Sequence, residues 1–187
     1  MNKNKNTPNK KNKKIALFIG KFQPFHKGHL YVLKDILKKF QSVYILIGSA
    51  NKKGEFSNPF SAKQRKNIIK TYLKKFLNTK NTKKIKFFFL DDHPSDLAWI
   101  NKLKKRFSSN KYIICTTNRL VLKLALNSKY EIYKPKLYKR KLIQAKKIRK
   151  ILFSKNSINQ KELLKYLPLD VINLIKKYLK KIKVKKS

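Results

Sequence analysis

His26-Lys27-Gly28-His29 is the stretch whose residue types and spacing most directly suggest chemistry. Two imidazoles three residues apart, with Lys21 and Lys27 beside them, bring N–H donors and positive charge into one short loop. The loop follows an apolar run, Ile15 to Ile19, then Gly20 and Pro24. It precedes Leu30, Val32, Leu33, Ile36, Leu37 and Phe40, which recur at helical spacing. A strand, a glycine-containing loop and a helix N-terminus form a natural phosphate site, because free backbone N–H groups and the helix dipole both favour an anion. Phosphate binding is therefore the chemistry to expect. A zinc site built on His-x-x-His needs further ligands, and among His and Cys only His93 and Cys115 remain. No metal site is read.

The elements that must position this loop alternate along the chain. Strands are expected at about 14–19, 42–48, 85–90, 111–116 and 130–133, from their β-branched and apolar runs. Helices are expected at about 28–40, after 61, and at 95–107, 119–126, 145–153, 160–166 and 169–182. Ser61-Ala62-Lys63-Gln64 reads as a capping box, and 78–84 as a turn. This predicts an α/β chain: a Rossmann-like, doubly wound parallel sheet of about five strands with a helical C-terminal extension. Ligands in such sheets bind beyond the carboxyl ends of the strands, near the switch in strand order. The loops expected there are 20–29, 48–51, 91–93 and 116–119. The domain reading is a flexible basic tail over 1–13, the Rossmann-like domain over 14–153, and the extension over 154–187 packed on the same domain.

Composition sets the background. The 187 residues include 50 basic and 8 acidic ones, a formal net charge of +42. Most of the basic residues are Lys, and a Lys-, Asn- and Ile-rich composition is also what an A/T-rich genome produces. A surface this positive attracts nucleic acid and other polyanions at low salt, so the charge alone says little about function. Apolar residues make up 41% of the chain, enough for a core. One cysteine, Cys115, excludes an internal disulfide framework and sits at the end of an apolar run as a core residue. The first 14 residues lack the apolar segment of a secretory signal. No apolar run approaches the ~18 residues needed to span a bilayer. A soluble cytoplasmic protein is expected.

Gly20-Lys21-Phe22-Gln23-Pro24-Phe25-His26-Lys27-Gly28-His29 closely resembles the G-R-F-Q-P-F-H-x-G-H opening of archaeal-type nicotinamide-nucleotide adenylyltransferases, in the HxGH nucleotidyltransferase superfamily. Ile47 to Asn51 resembles that family's I-G-S-A-Q segment, and Asn58 to Arg65 its N-P-F-T-x-x-E-R. Trp99 falls where the family has a tryptophan, and Thr117-Asn118 resembles its T-N. The resemblance covers about 14–152. There are departures. Lys21 replaces an arginine, keeping the charge but losing the bidentate fork. Gln144-Ala145-Lys146-Lys147-Ile148-Arg149 lacks the hydroxyl that the family carries before its Ile-Arg.

The resemblance implies a reaction, NMN plus ATP giving NAD and pyrophosphate, by in-line attack without a covalent intermediate. It implies catalytic roles for His26, His29 and Lys21 on the phosphoryl oxygens. It assigns Gly20, Phe22, Gly28, Asn118 and Arg149 to ATP, with Arg149 on the β- and γ-phosphates. It assigns Arg65, Trp99 and Asp92 to NMN, with Arg65 on substrate phosphate and Trp99 stacked on the nicotinamide ring. Asp91 is as well placed as Asp92 for the amide or a ribose. Mg2+ is implied with ATP, held mostly by the nucleotide and water, and a homo-oligomer is implied as the assembly. The apolar C-terminal helix (Val171, Ile172, Leu174, Ile175, Tyr178 and Leu179) suits either core or interface. Two other readings stay open. One is another HxGH adenylyl- or cytidylyltransferase, such as a pantetheine-phosphate or FAD-forming enzyme. Asn58-Pro59-Phe60 and Trp99 weigh against it. The other is a catalytically weak polyanion- or RNA-binding relative.

Overall fold

The computed structural model describes residues 13–139, 142–154 and 158–181. The tail expected over 1–13 lies almost wholly outside them. Five strands form one parallel sheet: β1 (Ile15–Gly20), β2 (Val43–Ile47), β3 (Ile85–Phe89), β4 (Tyr112–Cys115) and β5 (Glu131–Tyr133). Their spatial order is β3-β2-β1-β4-β5, so the winding reverses between β1 and β4. The doubly wound sheet expected from the strand and helix alternation is therefore present.

Side chains of each strand alternate between two cores. Ala16, Phe18, Val43, Ile45, Ile47, Ile113 and Cys115 face one, and Leu17, Leu46 and Ile114 face the other. The first core is covered by α1 (Lys27–Lys39), α2 (Ala62–Phe76), α6 (Ala145–Leu152) and α8 (Leu169–Leu179). The second is covered by α4 (Asp96–Arg106) and α5 (Arg119–Asn127). Burial on both faces explains why the central strands read as continuous apolar runs. It also makes Cys115 a core residue, its thiol pushed well up by burial. Val171, Ile172 and Ile175 of α8 are fully buried, and α8 packs on α2, so this helix serves the core.

Two local readings differ from the sequence. The 78–84 turn contains one helical turn, α3 (Thr79–Thr82), because the Asn78 side chain accepts from the Asn81 amide at 2.9 Å. The helix expected over 160–166 is only α7 (Gln160–Leu163). Beyond Leu163 the bonds tighten to i→i−3, from the Lys165 and Tyr166 amides to the Glu162 and Leu163 carbonyls ahead of Pro168, and the Tyr166 carbonyl is used outside the helix. It accepts from the Lys27 amide at 3.2 Å and the Tyr72 hydroxyl at 3.3 Å.

Candidate active site

The loop after β1 is held from three sides. Gln23, almost fully buried, bonds both backbone groups of Phe60: its amide donates to the carbonyl at 2.9 Å and its oxygen accepts from the N–H at 3.2 Å. Arg149 on α6 donates to the Gln23 carbonyl at 2.8 Å. Arg65 on α2 donates to the carbonyls of Lys21 at 2.7 Å, Gly48 at 2.6 Å and Ser49 at 3.0 Å, and through Nε to Ser61 at 3.4 Å. Four of the five guanidinium N–H groups are thus directed at carbonyls. The side chain is fully buried, and burial lowers its pKa to about 10, with Asp92 opposing the shift. The sequence reading put Arg65 on substrate phosphate; the structure makes it a clamp joining the loops after β1 and β2. The resemblance implies a phosphate contact for Arg149; in the structure its guanidinium lies against Gln23 and over the Phe56 ring, and it is not among the residues lining the cavity beside His26 and His29.

The loop delivers two histidines to the start of α1. Their rings stack with centroids 3.8 Å apart, and His29 also packs edge-on against Phe22 at 5.1 Å. His29 Nδ1 accepts from the His26 backbone N–H at 3.3 Å. An accepting Nδ1 puts the proton of the neutral ring on Nε2. Burial lowers the His26 pKa to about 4 and that of His29 well below its ordinary value, His26 adding to the latter. In the free protein both rings are therefore neutral near pH 7 and act as N–H donors rather than cations. The Lys27 N–H, one of the helix N-terminal donors, is already taken by Tyr166.

The glycines answer to side chains. A Cβ at Gly20 would lie 2.8 Å from the Phe22 ring, which sits buried on a backbone with φ 51°. A Cβ at Gly28 would lie 3.1 Å from the His26 ring, and Gly28 also lines the cavity beside the two histidines.

Two cavities open at the carboxyl ends of the strands. One, of about 320 Å3, is lined by Gly20, Phe22, His26, Gly28 and His29 and by the apolar Pro135, Leu137 and Tyr138. The other, of about 350 Å3, is lined by Lys21, Ser49, Lys52, Asp92, His93 and Trp99. Ile19, Gly20 and Asn118 border both, so the cavities meet at the switch between β1 and β4. Asn118 caps α5, accepting from the Val121 amide at 3.2 Å. Trp99 is half-buried, packing on the second core while facing the second cavity. Of the paired acids, Asp92 belongs to the site and Asp91 is exposed outside it. The Asp92 carboxylate accepts from Ser49 Oγ at 3.0 Å and pairs with Lys52 at 3.4 Å. Among the described residues, four buried side-chain polar atoms lack a partner, and two of them, His26 Nδ1 and His93 Nε2, belong to residues lining these cavities. Unpaired buried groups are costly, so they suit a site completed by ligand.

Gln23 and Ser49 gained no role from the sequence, though both lie in the segments that carry the resemblance. Lys52 directly follows one of those segments and gained no role either, while His93 was weighed only as a metal ligand and within the 91–93 loop. The larger groove of about 600 Å3 between α2 and the edge strand β3 lies away from this junction.

The cytidylyltransferase-like family profile matches residues 17–182. The nicotinamide-nucleotide adenylyltransferase of Sulfurisphaera tokodaii is 36% identical over 141 residues, 75% of this chain and 80% of that protein. That of Methanococcus aeolicus is 34% identical over 160 residues, 86% and 87% of the two chains. Among solved structures, a bifunctional NMN adenylyltransferase/ADP ribose pyrophosphatase from Francisella tularensis, complexed with AMP and a manganese ion, superposes with a TM-score of 0.66 at 26% identity. The superposition covers 78% of this chain and 43% of that longer one. The fold is the Rossmann-like fold of a nucleotidyltransferase. The chain belongs to the cytidylyltransferase-like family and, within it, to the nicotinamide-nucleotide adenylyltransferases.

Proposed function

We propose that this chain makes NAD by transferring the adenylyl group of ATP to the phosphate of NMN. One observation carries the reading: two ligand-sized cavities adjoin at the strand switch, one lined by both histidines and by Pro135, Leu137 and Tyr138, the other walled by Trp99. ATP fits the first, with its base among Pro135, Leu137 and Tyr138 and its phosphates at His29. NMN fits the second, with nicotinamide against Trp99 and its phosphate toward Lys21. The phosphates then face each other across Gly20 and Asn118.

An NMN phosphate oxygen bonds to the α-phosphorus, the bond from that phosphorus to the bridging oxygen breaks, and pyrophosphate leaves with the electron pair. A phosphate monoester has a second pKa of about 6, so the nucleophile is already ionised and no general base is needed. Catalysis is positioning and charge stabilisation. His29 donates through Nε2–H, and His26 stacks on it and holds its tautomer through the backbone. Triphosphate beside the pair favours protonation, since an opposite charge stabilises imidazolium. Lys21 neutralises charge at the junction. Asp92, oriented by Ser49 and Lys52, fixes the amide or a ribose hydroxyl. Arg65 and Arg149 hold the loop in shape. Among the described residues no carboxylate lines the nucleotide cavity, which suits Mg2+ arriving on ATP with phosphate and water ligands.

Among the described residues no helix is long and apolar enough to cross a membrane, and we attach a cytoplasmic location to this reading. Exposed Leu97, Leu120 and Leu126 on α4 and α5 support self-association, and the charge supports salt-sensitive, nonspecific nucleic-acid binding.

An acceptor screen tests the assignment. The protein is supplied with ATP or CTP and, in turn, NMN, nicotinate mononucleotide, FMN or pantetheine phosphate. Dinucleotide formation from ATP and a pyridine mononucleotide is expected. Turnover only with FMN or pantetheine phosphate would move the chain to another branch of the family.

A further inference from the structure

The loop after β5 walls the base end of the nucleotide cavity, and a single carboxylate pins it. Pro135, Leu137 and Tyr138 line the cavity, and residues 134–139 form no regular element. Such a segment is ordinarily mobile, with nothing in its own backbone to fix it. Here Asp35 on α1 holds its base. One oxygen, Oδ2, accepts from the Tyr133 hydroxyl at 2.7 Å and from the Lys136 backbone N–H at 3.2 Å. Both bonds are charge-assisted, the stronger kind. Further out, Tyr138 stacks on Tyr31, four residues before Asp35 on the same helix, with ring centroids 5.0 Å apart. The helix that starts at the two histidines therefore also holds the 134–138 loop. Asp35 is one of only 8 acidic residues in the chain, it is half-buried, and it does not line the cavity itself.

We propose that Asp35 is a positioning residue for ATP, acting by holding the 134–138 loop in the shape that receives the adenosine end. The inference rests on reading this cavity as the ATP site.

The test is ATP affinity by calorimetry on the full chain, with steady-state kinetics beside it. Asp35→Ala removes both bonds and should weaken ATP binding, and raise KM for ATP, about tenfold or more. kcat and KM for NMN should stay within roughly twofold, because the loop does not touch the second cavity. Asp35→Asn keeps an oxygen with two lone pairs at the same place and should restore ATP binding to within about threefold of the original. Tyr133→Phe removes one bond, leaves the carboxylate in place and should fall between, which decides the matter if Asp35→Ala does not fold. Unchanged ATP affinity in Asp35→Ala and Tyr133→Phe would overturn the proposal. So would a loss in which KM for both substrates and the melting temperature move together and Asp35→Asn gives no rescue. The reading beneath it fails differently: an unmutated protein that binds no ATP removes the site and this proposal with it. A protein that binds ATP yet uses no pyridine mononucleotide removes only the acceptor assignment, and the affinities still judge Asp35.

Discussion

Arg65 and His26 show how burial changes what a charged side chain does. Arg65 has four N–H groups committed to carbonyls, so its removal strands buried acceptors, each costing about 1–3 kcal/mol. Lys cannot reproduce the fork. Arg65→Lys is therefore expected to lower the melting temperature and to reduce kcat/KM for both substrates together, readable by calorimetry and initial rates. A selective rise in KM for NMN at unchanged stability would return it to direct phosphate binding. His26 gives a pH signature. Its pKa falls from 6.5 to about 4 on folding, so below 6.5 the unfolded chain binds the extra proton. Stability is full above pH 6.5 and declines as pH falls toward 4, by on the order of 3 kcal/mol for this residue alone. Denaturant midpoints at pH 7, 5.5 and 4 should show that loss, and His26→Asn should make it smaller, leaving the part that belongs to the buried His29. The identity of both residues was legible in the sequence. Their roles were not, because nothing in one dimension shows that Arg65 is buried or that the two imidazoles stack neutral.

At the level of elements, α2 carries Arg65 into place, and its first turn fixes the geometry. Ser61 and Gln64 form the reciprocal capping box: the Gln64 amide donates to Ser61 Oγ at 3.3 Å and the Ser61 amide to Gln64 Oε1 at 2.8 Å. Ser61→Ala should cost about 1 kcal/mol, measured by chemical denaturation. It should also lower activity, because the clamp hangs from that turn. This element was readable from four letters, as was the alternation of strands and helices. The sheet's double winding followed from the number and spacing of the apolar runs. The short α7 was not readable, because its last turn tightens to i→i−3 bonding at Lys165 and Tyr166, a change that leaves the apolar spacing unaltered. The loop after β5 escaped because its contacts with Asp35 and Tyr31 are about a hundred residues away.

Over the whole molecule, the strand order reverses between the paired β1 and β4, and the two cavities meet there at Gly20 and Asn118. A +42 chain attracts polyanions everywhere, so binding of ATP or RNA by itself distinguishes little. Turnover at this junction does. The direct measurement is a coupled assay of NAD formation from NMN, ATP and Mg2+ at moderate salt, with His29→Ala alongside. The account predicts NAD formation by the unmutated chain and a loss of turnover in His29→Ala far larger than its loss of ATP affinity. A folded, unmutated chain that makes no NAD, or a His29→Ala variant that makes it at the original rate, would contradict it.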